Sequence, residues 1–213
     1  MAPLLFPALA TASWVEVDLD ALARRDFPDG DNPLNDAVIC TTWVCELAKG
    51  LGVDFTLGGF MEDRSHLWRG HYHDPAVMRH LGVDYNVPEG TEVVAPVACM
   101  VERVLREKGV WGGWGGFVVL RLHEPVAEGA FLMLGHLDHV ALPEPGRVLA
   151  AGDVLARVGG PAENGGWYPH LHAQLVTDRA WTQHDGRMEE MDGYGLNWVE
   201  RDPLVINPRH VCG

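Results

Sequence analysis

The sequence is short of cysteine, of long apolar runs and of positive charge. Its four cysteines, Cys40, Cys45, Cys99 and Cys212, form no CxxC pair. That argues against a zinc–thiolate knot and against a disulfide framework, and leaves buried free thiols in a reducing compartment as the expectation. No apolar run approaches the ~20 residues that a membrane-spanning helix needs, so no membrane role is expected. Lys and Arg number 16 against 30 Asp and Glu, for a formal net charge of −14. A surface of that sign is a poor match for nucleic acid, anionic lipid or anionic wall polymers. The apolar stretch at residues 3–10 is short, broken by Pro7 and preceded by no Lys or Arg. A secretory signal starts basic, so a cytoplasmic location is expected. The chain also lacks internal repeats, low-complexity tracts and a flexible linker.

What remains is 213 residues with 25 glycines clustered around short apolar runs, a texture of strands and turns. From about residue 80, β-branched runs at 92–97, 99–105, 117–122, 130–134, 154–158 and 170–176 alternate with turn residues such as Pro88-Glu89-Gly90 and Asn164-Gly165-Gly166. These predict a mainly β protein, an antiparallel β-sheet domain of flattened-barrel or sandwich type. Residues 14–60 show no sheet-like alternation. There Asn35 or Asp36 caps a helix running to about Lys49, with Ala37, Thr41, Val44, Ala48 and Leu51 on one face and Gly50 placed to end it. The expected division is an N-terminal, partly helical extension at 1–60 packed on a domain at 61–213. The tail after Thr177 reads as polar and loop-like.

The chemistry starts at His170-Leu171-His172. On a strand, residues two apart share a face with Cα atoms roughly 6.5 Å apart, so two imidazoles project to one place. Both could bind a metal, or one could bind while the other moves protons. His80 and Asp84 would stand roughly 13 Å apart on a straight strand, but a bend at Gly82 could bring them together. His80, Asp84 and His172 would then supply two nitrogens and a carboxylate, a three-residue set that hydrolase zinc sites use while leaving a fourth position for water. His136, at the end of an apolar strand, joins His170 as an imidazole that could transfer protons or stabilise an oxyanion.

Those elements, in that order, resemble the lysostaphin-type zinc metallopeptidases, with their His-x-x-x-Asp motif, later His-Leu strand end and terminal His-x-His. "HLGVDYNVPEGTEVVAPVACMVERV" and "GRVLAAGDVLARVG" are similar to the family's intervening segments. "ENGGWYPHLHAQL" and "FMEDRSHLW" look most like cytosolic relatives fused to aminotransferase-like proteins. The likeness covers roughly residues 60–176. It implies the lysostaphin-like duplicated hybrid motif fold, one zinc ion per chain on His80, Asp84 and His172, and catalytic roles for His136 and His170. By the same resemblance Tyr72, ahead of the first histidine, is the candidate oxyanion stabiliser, with His71 and His73 beside it. Two positions depart from the family pattern: Leu134 stands where tyrosine is common, and Cys99 where a glycine is.

The expected activity is therefore zinc-dependent hydrolysis of an amide or peptide bond by metal-activated water. A small soluble peptide or amide is the expected substrate, because the export signal and basic wall-binding segment are missing. Peptidoglycan endopeptidase is the alternative. A biosynthetic metalloenzyme reusing the site and an inactive binding module are further alternatives, the latter disfavoured because all five site residues are present. An iron oxygenase is disfavoured because its His-x-Asp spacing is absent.

Overall fold

The structure is a computed structural model describing residues 4–70, 78–107, 111–195 and 204–213. Its centre is built from the apolar runs. Strand β8 (Gly129–Leu137) is buried along its whole length, as a strand covered on both faces must be. It pairs antiparallel with β7 (Gly116–Val126) on one side and β11 (Leu171–Thr177) on the other. Outward from β7 lie β6 (Cys99–Arg106) and β9 (Val148–Leu149), and outward from β11 lies β4 (Val83–Asn86). The short β13 (Val205–Ile206) also pairs with β11.

Alternation along these strands sorts side chains to two faces. Leu132 and Leu134 of β8, Val118 and Leu120 of β7, and Leu171 and Ala173 of β11 share one apolar cluster. The antiparallel pair of β5 (Glu92–Val94) and β10 (Val154–Arg157) covers that face through Val93, Leu155 and Ala156. Phe131 and Met133, Phe117 and Val119, and Val176 share a second cluster on the opposite face. His170, His172 and Gln174 have the parity of this second face, and so does Asp84 between Val83 and Tyr85.

The mainly β expectation holds, with differences of detail. The segment read as free of strands contributes β1 (Trp14–Val17) and β2 (Phe55–Gly58) to the same sheet. These two pair parallel, and β2 pairs antiparallel with β4, so the sheet is mixed. Both strands are four residues long, and β2 is buried at every position, so neither offers a period-two alternation to detect. Among the described residues the path ends at β1 and β9, and the sheet does not close into a barrel.

Helix α1 (Leu19–Asp26) and helix α2 (Ala37–Leu51) lie between β1 and β2 in the chain. Asp36 caps α2 by accepting from the N–H groups of Val38 and Ile39. The helix ends at Gly52, which takes the left-handed conformation, and not at Gly50. Its buried stripe is Cys40, Val44 and Ala48, while Leu51 stays exposed. The tail is less loop-like than expected. Helix α3 (Asp178–Gln183) follows β11, Met188, Met191, Leu204 and Val205 pack on the second face, and α4 (Arg209–Cys212) ends the chain. Cys40, Cys99 and Cys212 are buried free thiols as expected, but Cys45 is exposed. Among the described residues no helix is long and apolar enough to cross a membrane.

Candidate functional site

Register places the first two groups. His172 of β11 stands opposite Asp84 of β4 and opposite Gly135 of β8, so one side chain is flanked by a carboxylate strand and by the strand leading to His136. His80 arrives from β3 (Arg79–His80), which pairs with β12 (Tyr194–Gly195). Backbone bonds Met61 N–H to His80 C=O and His80 N–H to Glu62 C=O strap it to the preceding segment. His80 and Asp84 thus belong to two strands separated by Leu81 and Gly82, which removes the 13 Å problem of a single straight strand.

Hydrogen bonds fix what each ring offers. His80 Nδ1 lies 2.8 Å from the Gly59 carbonyl, which can only accept, so Nδ1 carries the proton and Nε2 presents a lone pair. His172 Nε2 lies 3.1 Å from the Gln174 amide oxygen, which leaves its Nδ1 as the free lone pair. That Nδ1 is 3.0 Å from Asp84 Oδ1 and 3.1 Å from His80 Nε2, and His80 Nε2 is 3.2 Å from the same oxygen. Three acceptors therefore face one another in a triangle with no proton among them. Ligands at about 2.0–2.1 Å in a tetrahedron stand about 3.3 Å apart, so the donor set fits a zinc ion in both type and spacing. The three residues are buried and form a group able to hold a metal.

Electrostatics agree. Burial and the neighbouring Arg64 push the His80 imidazole down to about 4, keeping its lone pair available at neutral pH. Burial opposes ionisation of Asp84, yet His80 and Arg64 beside it hold its carboxyl well below the usual range.

The other two imidazoles sit beside the triangle. His136 adopts a left-handed backbone, φ +65°, where β8 slips register against β7 between Gly116 and Val118. This bulge re-aims the side chain at the strand's end, an uncommon conformation for any residue but glycine, although Asn, Asp and His adopt it more often than most. Its Nδ1 donates to the Asn164 carbonyl at 2.8 Å, and His170 Nδ1 donates to the Tyr168 carbonyl at 2.7 Å. Among the described residues neither Nε2 makes a hydrogen bond, that of His170 standing 3.8 Å from Asp84 Oδ1, and the ring centroids are 4.4 Å apart. The Asn164 carbonyl is placed by its own side chain, which accepts from Trp167 N–H and donates to the Trp167 carbonyl. Gly165 and Gly166, both at positive φ, let the chain turn there. Burial, then His170 and His172, holds His136 well below the usual imidazole range; burial likewise lowers His170 against the pull of Asp84.

Asp84, His136, His170 and His172 line one cavity of about 230 Å³, with Trp68 and Trp167 in one wall and Trp114 in another. The model of peptidase family M23 matches residues 78–184. The chain belongs to peptidase family M23. Solved structures similar to this M23 chain include LytU, at 21% identity over 64% of this chain and 74% of that one, with a TM-score of 0.41. A catalytic-domain variant of the prophage-encoded M23 protein EnpA from Enterococcus faecalis is 21% identical over 66% of this chain and 82% of that one, TM-score 0.41. A zinc-containing peptidase from Vibrio cholerae is 25% identical over 55% of this chain and 31% of that one, TM-score 0.42. No curated protein sequence matches the chain. The M23 protein is a metallopeptidase-like hydrolase whose cofactor is zinc.

The structure brings His80, Asp84, His136, His170 and His172 together, whereas Tyr72, with His71 and His73, lies outside the described residues. Three contributors escaped the sequence reading. Gln174 sits two residues after His172, and extending the period-two argument by one step along "HLHAQ" would have found it. Tyr194 came from the tail read as loop; it packs 5.6 Å from the His80 ring and its hydroxyl accepts from Trp68 Nε1. Arg64 carried no signal beyond its place in "FMEDRSHLW".

The chain bends at Gly82, as the spacing of His80 and Asp84 required, and glycine is needed there for a second reason. It is not at positive φ. A Cβ there would stand 2.4 Å from the Ala173 carbonyl oxygen and 2.6 Å from His172 Nε2. Gly82→Ala is therefore expected to push β4 from β11 and turn His172 off the triangle, costing about 1–3 kcal/mol as an overpacking change. Denaturant unfolding of the metal-free protein, with zinc affinity measured in parallel, checks this; no change in either would refute the close-approach argument.

Proposed function

We propose that His80, Asp84 and His172 hold the zinc ion and that His136 and His170 move the protons of peptide-bond hydrolysis. The observation that carries this is the triangle of three mutually facing lone pairs, next to two imidazoles whose Nδ1–H groups are pinned by backbone carbonyls. Zinc bound there lowers the pKa of a coordinated water toward ~7 and polarises a scissile carbonyl. The chain's own residues supply the rest. His136 or His170 accepts the attacking water's proton at Nε2 as the new C–O bond forms. The same ring then delivers that proton to the amine nitrogen as the C–N bond breaks. While protonated, it is a donor for the developing oxyanion. The carbonyls of Asn164 and Tyr168 keep both rings in the required tautomer throughout.

For substrate we favour a peptide of peptidoglycan type, the reading that family membership supports better than the small soluble amide expected from charge and composition. Trp68, Trp167 and Trp114 would flank the bound chain. The second reading, a small peptide or amide handled in the cytoplasm, keeps one specific support: a net charge of −14 repels anionic wall polymers at low ionic strength. Purified sacculi incubated beside a panel of short peptides and aminoacyl amides, each with and without chelator, separate the two. Chelator-sensitive release of soluble fragments from sacculi is the expected result. Turnover of small compounds with intact sacculi would transfer the assignment to the second reading.

A further inference from the structure

Beside the triangle lies a charged side chain that the hydrolytic chemistry does not require. Arg64 has no exposed surface, and its guanidinium is enclosed among groups from four segments of the chain. Nη1 donates to Asp84 Oδ2 at 2.5 Å and meets the Tyr194 hydroxyl at 3.4 Å. Nε and Nη2 both donate to Glu62 Oε2, at 3.2 and 3.1 Å. Glu62 is held in turn, accepting from Gly59 N–H through Oε2 and from Asp20 N–H through Oε1. The slot is shaped in the backbone. Gly58 of β2 stands opposite Asp84 in register, and a Cβ at Gly58 would fall 2.1 Å from Arg64 Nη2. A buried cation is costly unless fully paired, so an arginine kept here with a counterion and a side-chain-free slot calls for a role. Arg64 lies outside the residues that match the family.

We propose that Arg64 is a positioning residue for the metal centre: it takes Oδ2 of Asp84, so that Oδ1 alone is turned toward His80 and His172, with Glu62 holding the guanidinium. This rests on the assignment of His80, Asp84 and His172 as ligands. A carboxylate has two oxygens and can close on an ion with both. Engaging one of them from behind keeps the carboxylate a single-oxygen donor and keeps a position open for water and substrate. Tyr194 and Trp68 continue the same chain of hydrogen bonds to the cavity wall, so the carboxylate's orientation is tied to the surface that receives substrate.

Three variants test it. Glu62→Gln combined with Arg64→Met removes the cation together with its second carboxylate, so that the lost partner of Asp84 Oδ2 is the change under test. Arg64→Lys keeps the charge without the fork. Gly58→Ala keeps both charges and displaces the guanidinium. Each is assayed for metal content, for the visible absorption of the cobalt(II)-substituted protein, and for kcat and KM. Circular dichroism confirms folding. Expected for the double variant and Gly58→Ala are one metal ion per chain, weaker cobalt absorption per ion, a 10- to 100-fold fall in kcat and KM within about twofold of the parent. Arg64→Lys should recover part of both the absorption and kcat. A cobalt spectrum and kcat unchanged in all three would overturn the inference and leave Arg64 a structural ion pair. His80→Ala run alongside identifies a different failure. If that variant keeps its metal, the ion sits elsewhere, and the ligand assignment falls together with the role of Arg64.

Discussion

Alanine at any one of His80, Asp84 or His172 is expected to leave the purified protein without zinc and without turnover. Each residue supplies one of three converging lone pairs, separated by 3.0–3.2 Å. Two protein ligands cannot retain what three hold, and the loss should exceed the 10- to 100-fold typical of outer groups. The three variants should differ in the metal-free state. Asp84→Ala strips Arg64 of one of its two carboxylates inside a buried network, a break that costs about 3–5 kcal/mol. His80→Ala leaves the Gly59 carbonyl without its donor, at about 1–3 kcal/mol. Adding zinc should stabilise the parent in proportion to its binding and none of the variants, because only a state that binds the ion gains from it. Elemental analysis and thermal unfolding with and without chelator read both effects. Full zinc occupancy in all three variants would refute the ligand set.

Of the six residues named for this site, the five that the structure brings together carried local or motif-borne signals, and Tyr72 lies outside the described residues. His170 and His172 share a face by strand period, and the structure keeps that parity through Gln174. Six strands after residue 90 were found with starts within one residue of those observed, though β7 and β8 run further and β9, β12 and β13 were not read; a β-branched run after turn residues marks where a strand begins. What could not be read was long-range. Arg64, Glu62, Gly58 and Asp84 meet because β2 pairs with β4, and β2 has four buried residues with no alternation to announce it. Likewise Asn164 reveals nothing about His136 until the turn at Gly165 and Gly166 carries its carbonyl across 28 residues of chain. Gly82 was singled out for a bend that the structure does place there, but its close approach to β11 could not be read. A glycine's freedom of φ can be guessed from sequence, but the carbonyl that a Cβ would strike lies 91 residues away, on Ala173.

Replacing His136 or His170 by alanine should separate chemistry from binding: zinc stays at one ion per chain while kcat falls about 10²–10⁴-fold, the usual contribution of a general acid–base group. Neither ring has a nitrogen in the triangle; each spends Nδ1–H on a backbone carbonyl and turns Nε2 to the cavity. The two differ in what they do to the fold. His136 holds φ +65°, which costs an L-residue about 1–2 kcal/mol and which alanine tolerates no better. His136→Asn is the companion variant, since asparagine visits that region readily and lacks the imidazole. If His136→Ala and His136→Asn lose the same activity, chemistry and not backbone strain is responsible. His170 lies between the Tyr168 ring and the His136 ring, each at 4.4 Å, so His170→Ala opens space against both while leaving the His136–Asn164 hydrogen bond in place. The double variant should lose little beyond the worse single one, because two groups acting on the same proton do not contribute additively. Zinc content by elemental analysis and single-substrate kinetics on the parent's best substrate supply the numbers. Loss of the ion from either variant, with its retention in His172→Ala, would exchange the roles assigned to the two sets.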